Sequence, residues 1–419
     1  MPADARLVAL RVLGRVEEGG AYADRALAAE ATRARLDARD RAFASRLAFG
    51  TVQRRRTLDH VIAQLGGRRP ADLEPAVRDT LRLGAYQLLF ADAVPPHAAV
   101  ATSVDLVRAG GRAAAAGLVN AVLRRVADGG AEALAALPDG TATEAALRRS
   151  YPDWIAELWF GAYGAADARA LMDAGNRAPE VALRVRTGAR ERVVAELDAA
   201  GVGWHEDAAV PTAIVLDGPL DVASTAAFRA GDAVPMSRAS QRIAPLLAPT
   251  AGMRVLDACA APGGKSGQLA DLLGDDGAGL VCVEQDPKRC DALRDALRRQ
   301  GAGAARVVCA DAAEAAPRLG PFDAILLDAP CTGLGVLAGR PDLRWRRTPE
   351  DVGQLAALQA RLLAALVDAL RPGGRLVYAV CTLSPAESDA ITAPYAVHEE
   401  LRTWPHRGDG DGFYAAALG

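Results

Sequence analysis

The chain has 419 residues, of which 51% are hydrophobic and 24% charged, and its formal net charge is −3. This composition excludes a disordered chain, a fibrous repeat and a small disulfide-rich secreted scaffold, because it provides enough apolar side chains for two or three domains. The 6 cysteines lack the paired short spacing of a zinc site, so we expect free thiols and no metal. Without a membrane-length apolar run or a signal-peptide core, we expect a cytoplasmic protein with no membrane partner.

Positive charge is concentrated in the first part of the chain. Residues 1–150 carry 22 Arg and Lys against 17 Asp and Glu, whereas the rest carries 27 against 35. Almost all of this positive charge is guanidinium, which suits contacts with phosphates. An Arg- and Ala-rich composition also follows from genome base content, so charge alone leaves both interpretations open.

The first 130 residues predict an all-α domain. Apolar residues recur there at helical spacing, Gly or Pro pairs separate the segments, and no strand-like alternation occurs. The predicted helical segments are Arg6–Val16, Ala38–Val52, Leu58–Leu65, Val77–Phe90, Ala98–Val107 and Leu118–Val126. Between Asp128 and Ser150, an Ala/Gly/Thr-rich stretch with little amphipathic pattern predicts a linker.

The remaining chain predicts two further folds. Residues 145–235 mix helical and strand-like segments and predict a small α+β module. Over residues 236–419, short apolar strands alternate with helices, which is typical of a doubly wound, Rossmann-like α/β sheet that binds ligands beyond the carboxyl ends of its strands. The predicted strands are Met253–Ala258, Gly279–Val283, Ala305–Cys309, Ala324–Leu327 and Arg375–Val380.

A glycine-rich turn, DACAAPGGKS over residues 257–266, follows the first of these strands. It matches neither the dinucleotide nor the nucleoside triphosphate fingerprint. Glu284 ends the second strand, where a carboxylate accepts hydrogen bonds from ribose hydroxyls, and Asp311 ends the third, where it suits the adenine amine. This pattern predicts a site for S-adenosylmethionine. The predicted cofactor-binding residues are Cys259, Ala260, Ala261, Pro262, Gly263, Gly264, Lys265, Glu284, Asp311 and Asp328.

Two cysteines lie at strand ends on the same rim as the glycine turn. Cys331 follows the fourth strand and Cys381 follows the fifth, at strand-to-loop transitions where substrates bind. A free cysteine is more often a small core hydrophobe. We interpret the other four, Cys259, Cys282, Cys290 and Cys309, in that way.

A thiolate beside a methyl donor indicates methylation of cytosine at C5. That carbon is a weak nucleophile until a thiolate adds at C6, and afterwards the C5 proton must leave and the thiol must be expelled. Positive charge from Lys265 favours the thiolate. Asp328 is suitably placed in sequence to protonate or hydrogen-bond N3 of a base that is drawn out of its stack. The residues alone do not decide which cysteine is the nucleophile. The predicted catalytic residues are Cys381, Cys331, Asp328 and Lys265.

These motifs resemble those of bacterial RNA 5-methylcytosine methyltransferases, specifically the two-domain small-subunit type with a NusB-like N-terminal domain. The segments that carry the resemblance are DACAAPGGKS (257–266), DAPCTG (328–333), GRPDLRW (339–345), YAVCTLSPAESD (378–389) and DGFYAAAL near the C-terminus. In that family the cysteine of the YAxC motif is the nucleophile, which the resemblance assigns to Cys381. It assigns Cys331, in the APC motif, to proton removal or product release.

The resemblance also implies a role for each part of the chain. Residues 1–130 resemble a NusB-like RNA-binding domain, residues 145–235 the small module that precedes catalysis, and residues 236–419 a class I S-adenosylmethionine-dependent methyltransferase domain. It favours RNA contact by the arginine-rich part, with Arg54, Arg55 and Arg56 as exposed candidates. Small-subunit ribosomal RNA is the implied partner, and we expect a monomer.

The chain departs from the family pattern at three places. Met236 and Ser237 stand where a Gln-Asp pair is usual, and Arg186 replaces the Asn of an Arg-Val-Asn motif. The stretch between Ser388 and Pro405 is short, which predicts that the last strands of the sheet are trimmed. None of these departures touches the glycine turn or the two cysteines, so we expect an active enzyme.

The leading hypothesis is a 16S ribosomal RNA (cytosine-C5)-methyltransferase. Transfer RNA or another ribosomal RNA position is the alternative substrate. A non-catalytic RNA-binding assembly factor is the third hypothesis, and the presence of the glycine turn and Cys381 disfavours it.

Overall fold

The structure is a computed structural model that describes residues 5–419, and it divides the chain into two compact units. The first unit extends to Ala178 and also includes the later segment Leu337–Arg346, and the second comprises Pro179–Val336 and Arg347–Gly419. Over the described residues, every helix is either too short or too polar to cross a lipid bilayer.

Helices build the first unit up to Ala178. They are α1 (Ala5–Glu17), α2 (Ala23–Ala34), α3 (Ala38–Gln53), α4 (Arg55–Gly66), α5 (Pro75–Phe90), α6 (Pro96–Ala109), α7 (Ala116–Ala135), α8 (Ala142–Arg149) and α9 (Asp153–Ala174). The apolar faces of α1 to α7 meet in one core, in which Leu47, Leu58, Leu81 and Leu123 are fully buried. The six predicted helical segments fall within six of these helices, because helical periodicity survives packing on one apolar face.

The predicted linker between Asp128 and Ser150 is wrong. Helix α7 continues to Ala135, and α8 occupies Ala142–Arg149. Thr141 and Glu144 form a reciprocal capping box at the start of α8, and alanine has the highest helix propensity, so this helix forms although only the small side chains of Ala145 and Ala146 are buried.

The prediction that three consecutive arginines are exposed is also wrong. All three are half-buried at the junction of α3 and α4, where they connect helices instead of projecting into solvent. Arg54 lies 4.7 Å over the ring of Phe90, Arg55 pairs with Glu17 at 2.9 Å, and Arg56 pairs with Asp153 at 2.7 Å.

The second unit begins with a small module around a four-stranded antiparallel sheet, whereas residues 145–178, which the sequence pattern assigned to this module, lie in the first unit. Its elements are β1 (Val181–Val185), α10 (Arg190–Ala199), β2 (Trp204–Glu206), β3 (Ala213–Leu216), α11 (Ala226–Arg229) and β4 (Ala233–Pro235), and the strand order is β2-β3-β1-β4. Arg184 is buried and connects β1 to the rest of the unit, donating to Asp271 at 3.1 Å and to Gln300 at 2.9 Å. Arg186, where the family has Asn, pairs instead with Asp232.

A seven-stranded sheet forms the rest of the second unit and confirms the predicted Rossmann-like fold. Its strands are β5 (Val255–Ala258), β6 (Leu280–Glu284), β7 (Arg306–Cys309), β8 (Phe322–Asp328), β9 (Leu370–Val380), β10 (Val397–Thr403) and β11 (Phe413–Leu418), in the order β10-β11-β9-β8-β5-β6-β7. The helices along this part of the chain are α12 (Arg238–Gln241), α13 (Gly264–Leu273), α14 (Pro287–Arg299), α15 (Ala312–Leu319), α16 (Leu343–Arg346, within the first unit), α17 (Pro349–Val367) and α18 (Asp389–Thr392).

The strands β5 to β9 are parallel, and both faces of the sheet are covered. Val255 and Leu326 enter the core on one face, whereas Leu256 and Leu327 enter the core on the other. Strands buried on both faces read as continuous apolar runs, which is why the sequence pattern located them. The carboxyl ends of β5, β6, β8 and β9 therefore lie on one rim.

The expected trimming of the last strands does not occur. Strands β10 and β11 form an antiparallel hairpin, and β11 pairs with β9 in the register Tyr414↔Val380. All six residues of β11 are buried, so this apolar strand completes the sheet even though the preceding stretch is short.

Candidate active site

The glycine turn after β5 is shaped by two residues with left-handed backbone. Gly263 has a φ of +98° and Cys259 a φ of +63°. A Cβ at Gly263 would lie 2.8 Å from Cδ1 of Leu293, so only glycine fits there without a shift in α14. A non-glycine residue with positive φ is uncommon, and such residues cluster at functional sites where the surrounding structure enforces the conformation. Cys259 is half-buried in the turn and packs against the core on one face of the sheet, as the sequence predicted.

Below the turn, Asp257 and Ser266 connect β5 to α13. The Ser266 hydroxyl donates to Asp257 Oδ2 at 2.6 Å, while Asp257 Oδ1 is buried without a hydrogen-bond partner. Burial raises the pKa of Asp257 to about 7, and the nearby charge of Asp328 adds to this elevation.

Glu284, at the end of β6, offers a buried carboxylate oxygen that has no hydrogen-bond donor. The residue is 4% exposed, its Oε1 accepts from the backbone of Asp286 at 3.1 Å, and its Oε2 is buried without a hydrogen-bond partner. Arg289 lies 3.4 Å from Oε2 and donates to the turn carbonyl of Ala261 at 2.8 Å. A ribose hydroxyl would satisfy the orphaned oxygen, so the residues present fit the nucleoside part of S-adenosylmethionine.

Asp311, the predicted partner of adenine, is already engaged within the protein. It caps α15 by accepting from the backbone of Ala313 at 2.8 Å, and it pairs with Arg361 at 2.8 Å. The Arg361 hydrogen bond lowers the pKa of Asp311. The structure thus accounts for this carboxylate as a helix cap, and its contact with adenine stays a prediction.

The two rim cysteines come together at the ends of the adjacent strands β8 and β9. The Sγ atoms of Cys331 and Cys381 are 3.4 Å apart, within sulfur hydrogen-bond distance. Both side chains are partly accessible. The hydrogen bond to Cys381 and burial together raise the pKa of Cys331 well above its ordinary value.

Lys265 and Asp328 form an ion pair beside the thiols. Lys265 Nζ is 2.8 Å from Asp328 Oδ2 and lies 5.3 Å from the centre of the Phe413 ring. Burial by itself lowers the pKa of Lys265, but Asp328 and the neighbouring Cys381 raise it above the ordinary value. Lys265 is therefore a fixed positive charge whose field reaches Cys381.

Sequence reasoning missed three polar residues of this rim. Asp257 and Arg289 shape the cofactor turn, and Glu387 is a buried carboxylate close to the thiols. The available signals were the acid at the start of the DACAAPGGKS motif and the acid in the polar run after Cys381.

The remaining cysteines divide between core and surface. Cys282 and Cys290 are buried, as predicted, and burial raises the pKa of Cys282. The interpretation of Cys309 as a core hydrophobe is wrong, because the residue ends the edge strand β7 and is exposed.

A mixed sheet with this strand order and five parallel strands, whose ligand turn follows β5 and whose reactive groups follow β8 and β9, is the arrangement of an S-adenosylmethionine-dependent methyltransferase. Family models match three parts of the chain: the NusB family over residues 3–128, the RsmF/B-like ferredoxin-like domain over 151–223, and the 16S rRNA methyltransferase RsmB/F over 244–397.

Curated relatives match almost the whole chain. The ribosomal RNA small subunit methyltransferase B of Pseudomonas putida is 34% identical, with 99% of this chain and 98% of the relative covered. A probable enzyme of the same name from Synechocystis is 33% identical, with 96% and 91% covered. The chain therefore belongs to the 16S rRNA methyltransferase RsmB/F family, and its cofactor is S-adenosylmethionine.

Solved structures support the fold. The crystal structure of PH0851 has a TM-score of 0.81 and 24% identity, and the match covers 100% of this chain and 99% of that one. The structure of NSun6 from Pyrococcus horikoshii with SFG has a TM-score of 0.59 and 21% identity, and the match covers 64% of this chain and 98% of that one.

Proposed function

We propose that this enzyme methylates C5 of a cytosine in 16S ribosomal RNA, with Cys381 as the nucleophile. The observation that carries the proposal is the pair of thiols 3.4 Å apart at the rim of the cofactor turn, next to the Lys265–Asp328 ion pair. The relatives named ribosomal RNA small subunit methyltransferase B support the choice of RNA. A cytoplasmic location follows from this substrate, since bacterial ribosomes assemble there.

The proposed chemistry begins at C6 of the cytosine ring. The Cys381 thiolate adds to C6, the Lys265–Asp328 pair delivers a proton to N3, and C5 becomes nucleophilic. S-adenosylmethionine would supply an electrophilic methyl group and leave as the neutral thioether. Afterwards the C5 proton is released, the C5=C6 bond re-forms, the electron pair of the breaking C6–S bond returns to Cys381, and N3 gives its proton back to the Lys265–Asp328 pair. Cys331 assists the loss of the proton or the release of the product.

The electrostatics favour Cys381 over Cys331 as the nucleophile. The positive charge of Lys265 interacts with the side chain of Cys381. Cys331 has its pKa raised by the Cys381 contact and by burial, which keeps it a neutral thiol.

We also propose a division of labour along the chain. Residues 1–130 would bind RNA, residues 145–235 would position it, and residues 236–419 would catalyse the transfer. The family models over 3–128, 151–223 and 244–397 support this division.

Cysteine variants test the proposal directly. We expect Cys381→Ala to abolish methyl transfer to a 16S ribosomal RNA transcript, because no adduct forms at C6. We expect Cys331→Ala to accumulate a protein–RNA adduct that survives denaturant, and the double variant to lose that adduct. The measurements are transfer of labelled methyl, bisulfite sequencing and denaturing gel electrophoresis.

Cys309→Ala is the matched control, because this exposed cysteine lies away from the thiol pair, and it should behave like the wild type. Full activity of Cys381→Ala would overturn the assignment of the nucleophile. Methylation of transfer RNA but not of 16S ribosomal RNA would refute the proposed substrate.

A further inference from the structure

A buried carboxylate connects the two loops that carry the thiols. Glu387 is 0% exposed and ends a short turn, Pro385–Glu387, that follows β9. Its Oε1 accepts from the backbone N–H of Thr332 at 2.8 Å, and its Oε2 accepts from the Thr332 hydroxyl at 2.5 Å and from the Thr382 hydroxyl at 3.3 Å. Thr332 and Thr382 are the residues directly after Cys331 and Cys381, so one side chain holds both loops.

The carboxylate is itself fixed from two further elements. Gln359 of α17 donates to Glu387 Oε1 at 3.1 Å and to the carbonyl of Pro330 at 2.8 Å. The Tyr378 hydroxyl of β9 donates to the main-chain carbonyl of Glu387 at 2.7 Å. The two threonine hydroxyls also contact each other at 2.7 Å. This network leaves the Cys331 and Cys381 loops little freedom to separate.

The hydrogen-bonding pattern favours a negative charge on Glu387. An ionised carboxylate only accepts hydrogen bonds, and here a backbone N–H, a side-chain amide and threonine hydroxyls surround its two oxygens. Burial leaves the pKa of Glu387 raised above its ordinary value, and the hydrogen bonds from Thr332 oppose that effect and favour the charged form. The hydrogen-bond partners of the carboxylate are neutral, and the charged group beside the same loop is Arg347, which donates to the main-chain carbonyls of Cys331 and Thr332, both at 3.2 Å.

We infer that Glu387 is a positioning residue that holds the two thiols side by side and keeps Cys331 protonated, as a hydrogen-bond donor to the sulfur of Cys381. The inference rests on the proposed function, and it selects between the two roles left open for Cys331. When the C6–S bond breaks and its electron pair returns to Cys381, the Cys331 S–H stabilises the departing thiolate, and the C5 proton passes to solvent.

Charges of opposite sign act on the two sulfurs. Lys265 acts on Cys381, whereas the charge of Glu387 acts on Cys331 and contributes, after the Cys381 contact and burial, to its raised pKa. Substituting Glu387→Gln removes the charge and places an amide donor or a weaker acceptor opposite the Thr332 N–H.

The test measures thiol reactivity as well as turnover. The pH at which iodoacetamide alkylates Cys331, followed by mass spectrometry without RNA or cofactor, should fall by about one unit in Glu387→Gln, because the neighbouring negative charge is gone. The kcat for methylation of the 16S transcript should fall roughly 10- to 100-fold, because the thiols are misplaced, while the affinity for S-adenosylhomocysteine stays unchanged. Glu314→Gln, an exposed glutamate on α15, is the matched control.

A pair of threonine variants keeps the test decisive if Glu387→Gln does not fold. Thr382→Val removes one hydroxyl from the carboxylate without removing its charge, so the Cys381 loop loses a contact and kcat should fall, whereas Thr382→Ser keeps the hydroxyl and should restore the wild-type rate. An unchanged Cys331 profile in Glu387→Gln, or an unchanged kcat in Thr382→Val, would overturn the inference. If the wild type fails to methylate the transcript but the alkylation profiles shift, the proposed substrate fails and the positioning role stands.

Discussion

The buried carboxyl group of Asp257 makes the stability of the protein depend on pH. Its side chain lies under the glycine turn with one oxygen bound by Ser266 and the other without a hydrogen-bond partner. Burial raises the pKa of Asp257 to about 7. An unfolded aspartate titrates near about 3.9, so the folded state binds a proton more tightly between these two pH values.

The raised pKa of Asp257 predicts how stability changes with pH. The stability that Asp257 contributes is fully present below pH ~4 and is lost as the pH rises towards 7, at about 1.4 kcal/mol for each unit of pKa difference. Asp257→Asn is neutral throughout, so its melting temperature should rise relative to that of the wild type between pH 5 and pH 8. Thermal unfolding at a series of pH values measures this difference.

Asp323→Asn is a suitable control. The backbone of Arg254 donates to Asp323 and lowers its pKa, so this carboxylate is already charged at pH 5 and above. The difference between the Asp323→Asn variant and the wild type should therefore be constant across the same range. A constant difference for Asp257→Asn as well would contradict the assigned burial of its charge.

At the scale of elements, helix α13 connects the cofactor turn to the sheet, and a left-handed glycine flanks each end. Gly263 precedes the helix with a φ of +98°, and Gly274 follows it with a φ of +73°. A Cβ would collide with Leu293 at the first position, whereas the second has nothing within 4 Å. The two glycines thus share a backbone conformation but differ in their surroundings.

This difference predicts that only one of two otherwise similar substitutions affects the cofactor. Gly263→Ala and Gly274→Ala should each cost about 1–2 kcal/mol of unfolding free energy from positive φ. Gly263→Ala should in addition weaken binding of S-adenosylhomocysteine at least tenfold, because relief of the Leu293 clash displaces the turn. Isothermal titration measures the affinity. Equal affinities in the two alanine variants would show that the turn tolerates the displacement.

At the scale of the whole molecule, the order along the chain and the order in space differ at Leu337–Arg346. This segment follows Cys331 by a few residues, yet it packs within the first unit. Arg344 of α16 is fully buried there, with its guanidinium 4.0 Å from the centre of the Tyr151 ring. Its hydrogen-bond acceptors are the carbonyls of Gln53, Ser150, Gly175 and Leu337 and the side chain of Asn176.

Removing this guanidinium should destabilise the first unit. Arg344→Met leaves several buried oxygens without donors, and we expect a loss of about 3 kcal/mol or more. Arg340→Met on the same segment is the control, because Arg340 is exposed and should change stability little. Urea unfolding followed by circular dichroism measures both variants. A loss no larger in Arg344→Met than in Arg340→Met would refute the structural role of Arg344.

The sequence alone determined the features that depend on short stretches of chain. The continuous apolar runs located β5 to β9, and the glycine turn and the two cysteines could be assigned to the carboxyl ends of particular strands. These predictions succeeded because strand patterns, glycine turns and helix periodicity are local properties. The predicted linker failed because the buried helical residues of this stretch are small, namely Gly130, Ala133, Ala145 and Ala146, so they do not stand out as an apolar face in the sequence.

Only the tertiary structure decided which distant groups meet. The Cys331–Cys381 contact spans 50 positions, the Lys265–Asp328 pair 63 and the Thr332–Glu387 bonds 55. The register of β8 against β5 and β9 sets these contacts, and no local pattern encodes it. The partners of Arg54, Arg55 and Arg56 were hidden for the same reason, because a guanidinium is free or engaged according to the helices packed around it.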